Sequence, residues 1–543
     1  MARPTLELGP EQLAAALEEF LADHPRAVVV EDGAILFDMS LSRFTLDSAN
    51  GRCVLQLWSE ERNLVRTVVG LEARKESLRV EVRRFGQTRP QVLRFVADRD
   101  QRTPSTRDAT RQKYVRVLER VLTRCFADYR RGDLHASADL EHSFGPAYVR
   151  GTLERGQGVW AVVGVNAEET QSTVDAVLSV AVLWLDHCRQ RECGRRIVQG
   201  VKVIVPAGAA GTVRERMAWL DPRSAKWELY ELEERGEELL PSETGVNGNQ
   251  RTQLLAAFKA EAALERSREA IDRVLGLLPA GARVRTDVEA RSPTEVSFRV
   301  HGLEFARIRH QLAAGSFARE DAITFGAGAH ETSLNAETED LFQQLTGRLF
   351  ASRRVSGLAR DPLYRLQPER WLESVLRREL ELIDSNLAGG MIYSQVPAMA
   401  SADRGMLDLL AITRAGRLAV LELKAGEDLH MPFQGLDYWM RVRDLHREDE
   451  FTRSGYFPGV KLSPAAPLLY FVVPSLRLHS ACETLLKHIS PEVEWRLIAL
   501  DERWRERRKV VFRKQGGTGL PLPSLHHPAH TINDGIPNYG VSS

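Results

Sequence analysis

The sequence predicts an α/β (α+β) protein whose C-terminal part is a layered core with a mixed central sheet. Three observations predict it. Short apolar runs, Pro467–Ser475 (PLLYFVVPS) and Val201–Pro206 (VKVIVP), read as fully buried strands. Apolar residues recur at helical spacing between those runs. From Gln367 onward the predicted order is helix, strand, strand, helix, strand, helix, strand, which suits helices packed on a sheet.

The elements follow along the chain. Gly9-Pro10-Glu11 with Leu13, Leu17 and Phe20 predicts a short amphipathic helix. About Ala27–Asp98 is strand-rich, with runs near Cys53–Trp58, Thr67–Leu71 and Leu78–Val82. Thr103–Arg131 turns helical through Tyr114, Leu118, Val121, Leu122 and Cys125, and Arg130–Asp139 reads as a loop. Asn249–Leu278, rich in Ala, Glu, Leu and Arg, predicts one long helix with Leu255 and Phe258 on its apolar side. Val284–Arg309 is strand-rich again. Phe325-Gly326 follows it as Phe85-Gly86 follows the first strand region. Glu337–Phe350 predicts a helix and Val355–Arg365 a linker. Gln367–Asp384 predicts a helix with a stripe of Leu372, Val375, Leu376, Leu380 and Ile383. Leu476–Ile489 predicts a helix and Val493–Leu500 a strand. The expected divisions are 1–134 (strand-rich, ending in a helix), 135–240 (α/β), 241–360 (helix and second strand-rich region), 361–513 (α/β) and a disordered tail, 514–543.

Composition narrows the class. At 543 residues the chain is long enough for several domains, and 43% apolar with 27% charged residues is an ordinary globular balance. Lys+Arg and Asp+Glu are both 74, so any nucleic-acid surface must be a local patch; the run Arg503, Arg505, Arg507, Arg508, Lys509, Arg513 and Lys514 fits phosphate contact and a charged surface strand equally well. The five cysteines form no zinc pattern, and a reducing, cytoplasmic setting is expected. The longest apolar stretch, Ala176–Leu185, is too short to span a bilayer, and the N-terminus lacks the apolar core of a signal peptide.

Met406–Tyr438 (MLDLLAITRAGRLAVLELKAGEDLHMPFQGLDY) carries the chemistry. It reads as two apolar strands joined by a turn over Arg414–Arg417. Asp408 lies in the first, and Glu422 and Lys424 lie two apart on one face of the second. Two acids and an amine on one sheet face are costly to bury unless a cation neutralises the acids. Oxygen ligands of this kind suit Mg²⁺ or Mn²⁺. Gln434 and Tyr438 share a face of the next helix. Trp439 beside them offers a base-stacking ring or a core residue, and His430 is a weak candidate close by.

The ordered set of strand Asp408, then Glu422-Leu423-Lys424, then Gln434-x-x-x-Tyr438 resembles the PD-(D/E)XK nuclease superfamily, in its RecB-like and NucS-like branch. The resemblance covers about 361–513. Leu407 stands where the family name has Pro. It implies a restriction-endonuclease-like three-layer α/β/α core and a metal-dependent nuclease, with DNA expected over RNA. Asp408, Glu422 and the Leu423 backbone carbonyl would hold Mg²⁺ or Mn²⁺. Lys424 would serve the attacking water, and Gln434 and Tyr438 would steady the site. Glu369, in a phrase that looks like the family's opening helix, is the first choice for the helix glutamate, and Glu373 the alternative. Cutting both strands would favour a homodimer, and unwinding would need a helicase or other partner. The competing reading is a non-catalytic nucleic-acid-binding or assembly protein on the same fold.

A second such fold is expected near 135–235. Gly158–Arg189 and Gly416–Arg447 both read strand, polar turn, long helix, and each leads to an apolar strand ending in Pro. A direct alignment sets Gly164-Val165-Asn166 on Glu422-Leu423-Lys424 and Arg150 on Asp408. This first copy would then be degenerate, without the metal acids or the Lys.

Overall fold

The computed structural model describes residues 9–519, except 26, 32–33, 40–41, 49–51, 59–62, 75–76, 84–90, 98–103, 140, 244–252, 255, 313–318, 327–331 and 400–403. The chain is a mixed α/β protein built on four sheets. Phe85-Gly86, Leu255 and the predicted tail beyond Gly519 lie outside the described residues.

Two sheets are antiparallel. The first has seven strands, from Val28–Glu31 to Gln91–Val96. Its strand Ser77–Arg83 alternates buried and half-exposed residues, the period of a sheet with one covered face. Helix Pro10–Asp23 helps fill its core with Leu13, Leu17 and Leu21. The second has five strands, from Thr286–Ser292 to Thr332–Ser333, packed under helices Arg268–Gly276 and Glu339–Ser352 around Phe298, Phe305 and Phe342. The two sheets touch: Arg43 Nη1 is 3.4 Å from Glu304 Oε1, and Arg309 donates to Gln56 at 3.4 Å.

The expected long helix over Asn249–Leu278 is not one helix. Gln253–Leu254 instead pairs as a short edge strand with Ala398 and Met399. Two helices follow, Ala260–Arg266 and Arg268–Gly276, broken at the buried Ser267. A distant strand partner outweighed local helix propensity here.

The other two sheets are mixed, and they share one plan. The first runs Glu238–Ser242, Lys226–Glu233, Ile197–Pro206, Gly158–Val165, Tyr148–Arg155, Arg130–Arg131 in spatial order. The second runs Val510–Gly516, Trp495–Leu500, Leu468–Pro474, Leu418–Leu423, Arg404–Thr413, Leu387–Met399, then Gln253–Leu254. Strand senses agree position by position. The helices agree too. Val177–Glu192 and Met431–Arg447 make the first parallel crossover, and Gly211–Met217 and Cys482–Lys487 the second. Pro104–Cys125 and Pro368–Arg378 cover the opposite faces.

These two units pack through their crossover helices into one continuous core. The Cys482–Lys487 helix lies on the Val177–Glu192 helix, and Gly211–Met217 lies on Met431–Arg447, so the contacts are reciprocal. At the centre Leu220 bridges Ile489. Asp221 N–H donates to His488 O at 2.8 Å, and Ser490 N–H donates to Trp219 O at 2.7 Å. Equivalent residues meet each other, which is the signature of a two-fold axis. Around it Trp219 stacks edge-on to Trp439 at 4.8 Å, and Arg216 Nη2 pairs with Asp437 Oδ2 at 2.6 Å.

The predicted C-terminal boundary moves. Val510–Gly516 is an edge strand, so the ordered chain passes beyond 513, and most of the basic run is engaged within the fold. Arg508 pairs with Glu379, Lys514 with Glu483, and Arg513 with the carbonyls of Leu382 and Ile383. Arg505 stacks over Trp504 at 4.1 Å.

Arg353 joins the second antiparallel sheet to the helix that leads into the C-terminal unit. Its guanidinium is fully buried over Trp371 and donates to the carbonyls of Val300, His301, Leu363, Leu366 and Gln367. Burial pulls its pKa down to about 9. Gly302 beside it has φ +75°, and a Cβ there would lie 1.9 Å from Arg370 O, so this turn must be glycine. Arg353→Met should strand those carbonyls and destabilise the chain by about 3–5 kcal/mol, read as a lower urea midpoint. An unchanged midpoint would mean the carbonyls find water instead.

Candidate active site

The Leu418–Leu423 strand is buried along its length because it is central in its sheet and covered on both faces. Ala419, Leu421 and Leu423 face the Pro368–Arg378 helix, whereas Leu418 and Val420 face the Met431–Arg447 helix. Glu422 has the parity of Leu418 and Val420, so it points at the second helix. The pairing that sets Leu409 against Leu421 carries Asp408 to Glu422. Leu423 N–H donates to Asp408 Oδ2 at 3.0 Å.

The strand brings its residues into one buried group. Glu422 is 1% exposed. Lys424 Nζ lies 3.2 Å from Glu422 Oε1 and 3.3 Å from Asp428 Oδ2. Glu422 Oε2 and Gln434 Oε1 are both buried without a hydrogen-bond partner. The Met431–Arg447 helix reaches this close because Gly435 faces Phe471, where a Cβ would come within 2.5 Å of the ring. That approach sets Gln434 and Tyr438 on the same side as Glu422.

Charge and burial work against each other here. Burial, then the Asp408 carboxylate, hold the Glu422 carboxyl well above the usual range. Burial pushes Asp408 up to about 6, against the Leu423 N–H bond and the charges of Arg370 and Lys424. Burial opposes the Lys424 ammonium, but Glu422, Glu369, Asp428 and Asp408 outweigh it and hold its pKa above the ordinary value. Burial, then Glu422 and Asp408, raise the Tyr438 phenol far above its usual range. Lys424 is therefore a cation and Tyr438 a neutral hydroxyl at neutral pH.

Both helix glutamates act electrostatically on this group from the Pro368–Arg378 helix, at different levels. Glu369 is exposed in the first turn of Pro368–Arg378, and its charge acts on Glu422 and Lys424. Glu373 is buried, pairs with Arg370 at 2.6 Å, and acts on Asp408. The helix ends at Arg378, short of the predicted Asp384, and a 3₁₀ turn at Leu380–Leu382 completes the stripe.

Other candidates lie elsewhere. Trp439 is core: it is 1% exposed and donates to Pro467 O at 2.8 Å. His430 caps the Met431–Arg447 helix, with Nδ1 3.0 Å from Ser179 Oγ across the two-fold seam. Arg370, the partner of Glu373, and Asp428, the second partner of Lys424, were not singled out from sequence. Asp428 lies four residues after Lys424, a spacing that carried the signal.

The residues fit a hard divalent cation. Two adjacent carboxylates, one with an orphaned oxygen, are an oxygen-donor set of the kind a hard cation takes. Among the described residues no three His, Cys, Asp or Glu side chains gather closely enough to hold a metal by themselves. The Leu423 carbonyl and waters would therefore complete the shell, as Mg²⁺ commonly allows.

The equivalent place in the first unit is dismantled. Glu422 pairs with Phe471, and Val163 pairs with Val203; Phe471 and Val203 stand equally far before the strand-ending prolines. Val163 is in turn the antiparallel partner of Arg150. So Val163 occupies the Glu422 position, Val165 that of Lys424 and Arg150 that of Asp408. The direct alignment through Gly164 was one residue out. A one-residue slip reverses the face, and Gly164 points at the Tyr114 hydroxyl on the opposite side. Val163 and Val165 are core, and Arg150 stacks over Phe144 at 4.4 Å.

A raised carboxyl pKa means the folded chain binds that proton more tightly than the unfolded chain. Stability from Asp408 is thus full below its ordinary 3.8 and is lost as pH rises through about 6. In chelator-treated protein, Asp408→Asn should equal wild type near pH 4 and exceed it above pH 6, by at most about 3 kcal/mol. Mn²⁺ should raise the melting temperature of wild type and leave Glu422→Gln unmoved. Equal metal shifts in both proteins would put the ion elsewhere. The chain matches no protein-family model and no curated protein, so a functional reading rests on this site's own geometry.

Proposed function

We propose that this chain is a divalent-metal-dependent nuclease that hydrolyses phosphodiester bonds in DNA, with a C-terminal restriction-endonuclease-like core of the PD-(D/E)XK type. The observation that carries this reading is the buried Glu422 beside the half-buried Asp408, with Lys424 Nζ 3.2 Å from Glu422 and an orphaned Glu422 oxygen. The observed order from Pro368, helix–strand–strand–strand–helix–strand–helix–strand, has one strand (Leu387–Met399) more than the sequence predicted; it and a central strand flanked by one antiparallel and one parallel neighbour support the reading. Fold alone would license no activity; the assembled site does.

Asp408, Glu422 and the Leu423 carbonyl would hold Mg²⁺ or Mn²⁺. When bound, the ion supplies Lewis-acid polarisation of the phosphate and a more acidic water. The chain's own residues do the rest. Lys424, kept charged by its carboxylates, orients the attacking water and stabilises negative charge as it develops on phosphorus. Asp428 and Glu422 fix where that ammonium points. Tyr438, neutral and partly buried, offers a hydroxyl donor to the carboxylate pair, and Gln434 offers its amide from the same face. Glu369, exposed at the rim, is the more reachable of the two helix glutamates.

The test is cleavage of labelled single- and double-stranded DNA and RNA with Mn²⁺ or Mg²⁺. Glu422→Ala and Lys424→Ala should each lower the rate by at least about 10²-fold, the scale of losing one charge-stabilising group. No metal-dependent cutting of any substrate, with equal nucleic-acid affinity in all three proteins, would support a non-catalytic binding or assembly protein instead.

A further inference from the structure

The two-fold frame and its unequal halves say what such a site would produce. Equivalent crossover helices pack reciprocally, Leu220 meets its counterpart Ile489, and the two flanking backbone bonds are mates under the same axis. The antiparallel sheets that precede each unit also touch each other, through Arg43–Glu304 and Arg309–Gln56. The chain thus carries within itself the arrangement that two copies of a half-length chain would form by dimerisation. A two-fold protein matches the dyad of a duplex, and its two equivalent sites address opposite strands. Here one of those sites has Asp408, Glu422 and Lys424, and the other has Arg150, Val163 and Val165.

We infer that the chain acts as a monomer on duplex DNA and cuts one strand per encounter, leaving a nick rather than a double-strand break. This rests on the nuclease reading above. Each cut consumes one water: its oxygen forms the new bond to phosphorus, one bridging P–O bond breaks, and the departing sugar oxygen takes up a proton. The first unit cannot cut at its equivalent place. Val163 and Val165 bring no oxygen ligand there, and the Arg150 guanidinium would repel a metal ion. That unit's part is to complete the two-fold frame that seats the duplex. The internal pairing also removes the need for the homodimer expected from sequence, because the face a partner would cover is already covered.

Supercoiled circular duplex DNA separates the outcomes. The full chain, limiting over DNA and with Mn²⁺, should convert supercoils to open circles. Linear product should lag by about tenfold or more, because the second cut needs a new encounter rather than a tethered neighbouring site. Light scattering under the same conditions should give the mass of one chain, and Glu422→Gln should yield neither product. Linear DNA appearing as fast as open circles would overturn the inference while leaving the nuclease reading intact. So would a dimeric chain, or cutting confined to single strands or RNA. No cutting of any nucleic acid would overturn both.

Discussion

The C-terminal site depends on one electrostatic constraint: a buried Glu422 carboxylate beside the half-buried Asp408 carboxylate, with the Lys424 ammonium against Glu422. Glu422 is almost completely enclosed and one of its oxygens has no partner. Such a pair cannot ionise fully in a low-dielectric interior without a compensating cation. Everything nearby follows from managing that charge. Lys424 is held charged, Asp428 gives it a second anchor, Leu423 N–H takes part of the Asp408 charge, and Arg370 sits close enough to lower Asp408 in turn. Gly435 lets the covering helix descend onto Phe471, which brings Tyr438 and Gln434 down on the Glu422 side.

The second constraint is mechanical. The central strand carries the buried Glu422 at its end, beside Asp408 of the neighbouring strand and Lys424 just beyond, so that end of the sheet gains by being secured elsewhere. The two-fold seam does this. It buries both sets of crossover helices in a shared core, and adds the Trp219–Trp439 contact and the Arg216–Asp437 pair beside the Gln434–Tyr438 helix. Asp437 lies between Gln434 and Tyr438 in sequence, so the seam grips the helix on one side while the site uses another. A buried ion pair adds little net stability compared with apolar packing, but it fixes orientation.

Much of this was legible in the sequence, because the signals were local. The apolar runs ending in Pro206 and Pro474, the two-residue spacing of Glu422 and Lys424, and the four-residue spacing of Gln434 and Tyr438 each report a strand or helix face directly. What was hidden depended on partners far away in the chain. Asn249–Leu278 has helical composition throughout, yet Gln253–Leu254 pairs with Ala398 and Met399. The basic run from Arg503 read equally as a phosphate-contacting patch or a charged surface strand; its end is an edge strand, Val510–Gly516, and its pairing with Glu379, Glu483 and two carbonyls could not be read locally. The first-unit alignment failed by one residue on the second strand, because it matched Ala161-Val162 to Ala419-Val420; the count back still reached Arg150, because the first hairpin is shorter by the same one residue. Burial parity could see it.

The contrast between the two units bears on whether the C-terminal site has work to do. In the first unit the same sheet position is filled by Val163 and Val165, both in the core, and Arg150 stacks on aromatic rings. That is how this fold looks when nothing requires charge there: apolar packing replaces the acids and the strain of burying them disappears. The second unit keeps Asp408 and Glu422 although their burial costs stability, in the same chain, on the same topology and across the same seam. Mutation tends to relax such costs unless function holds them in place. The fold itself does not need the carboxylates, as the first unit demonstrates, so architecture alone does not account for them.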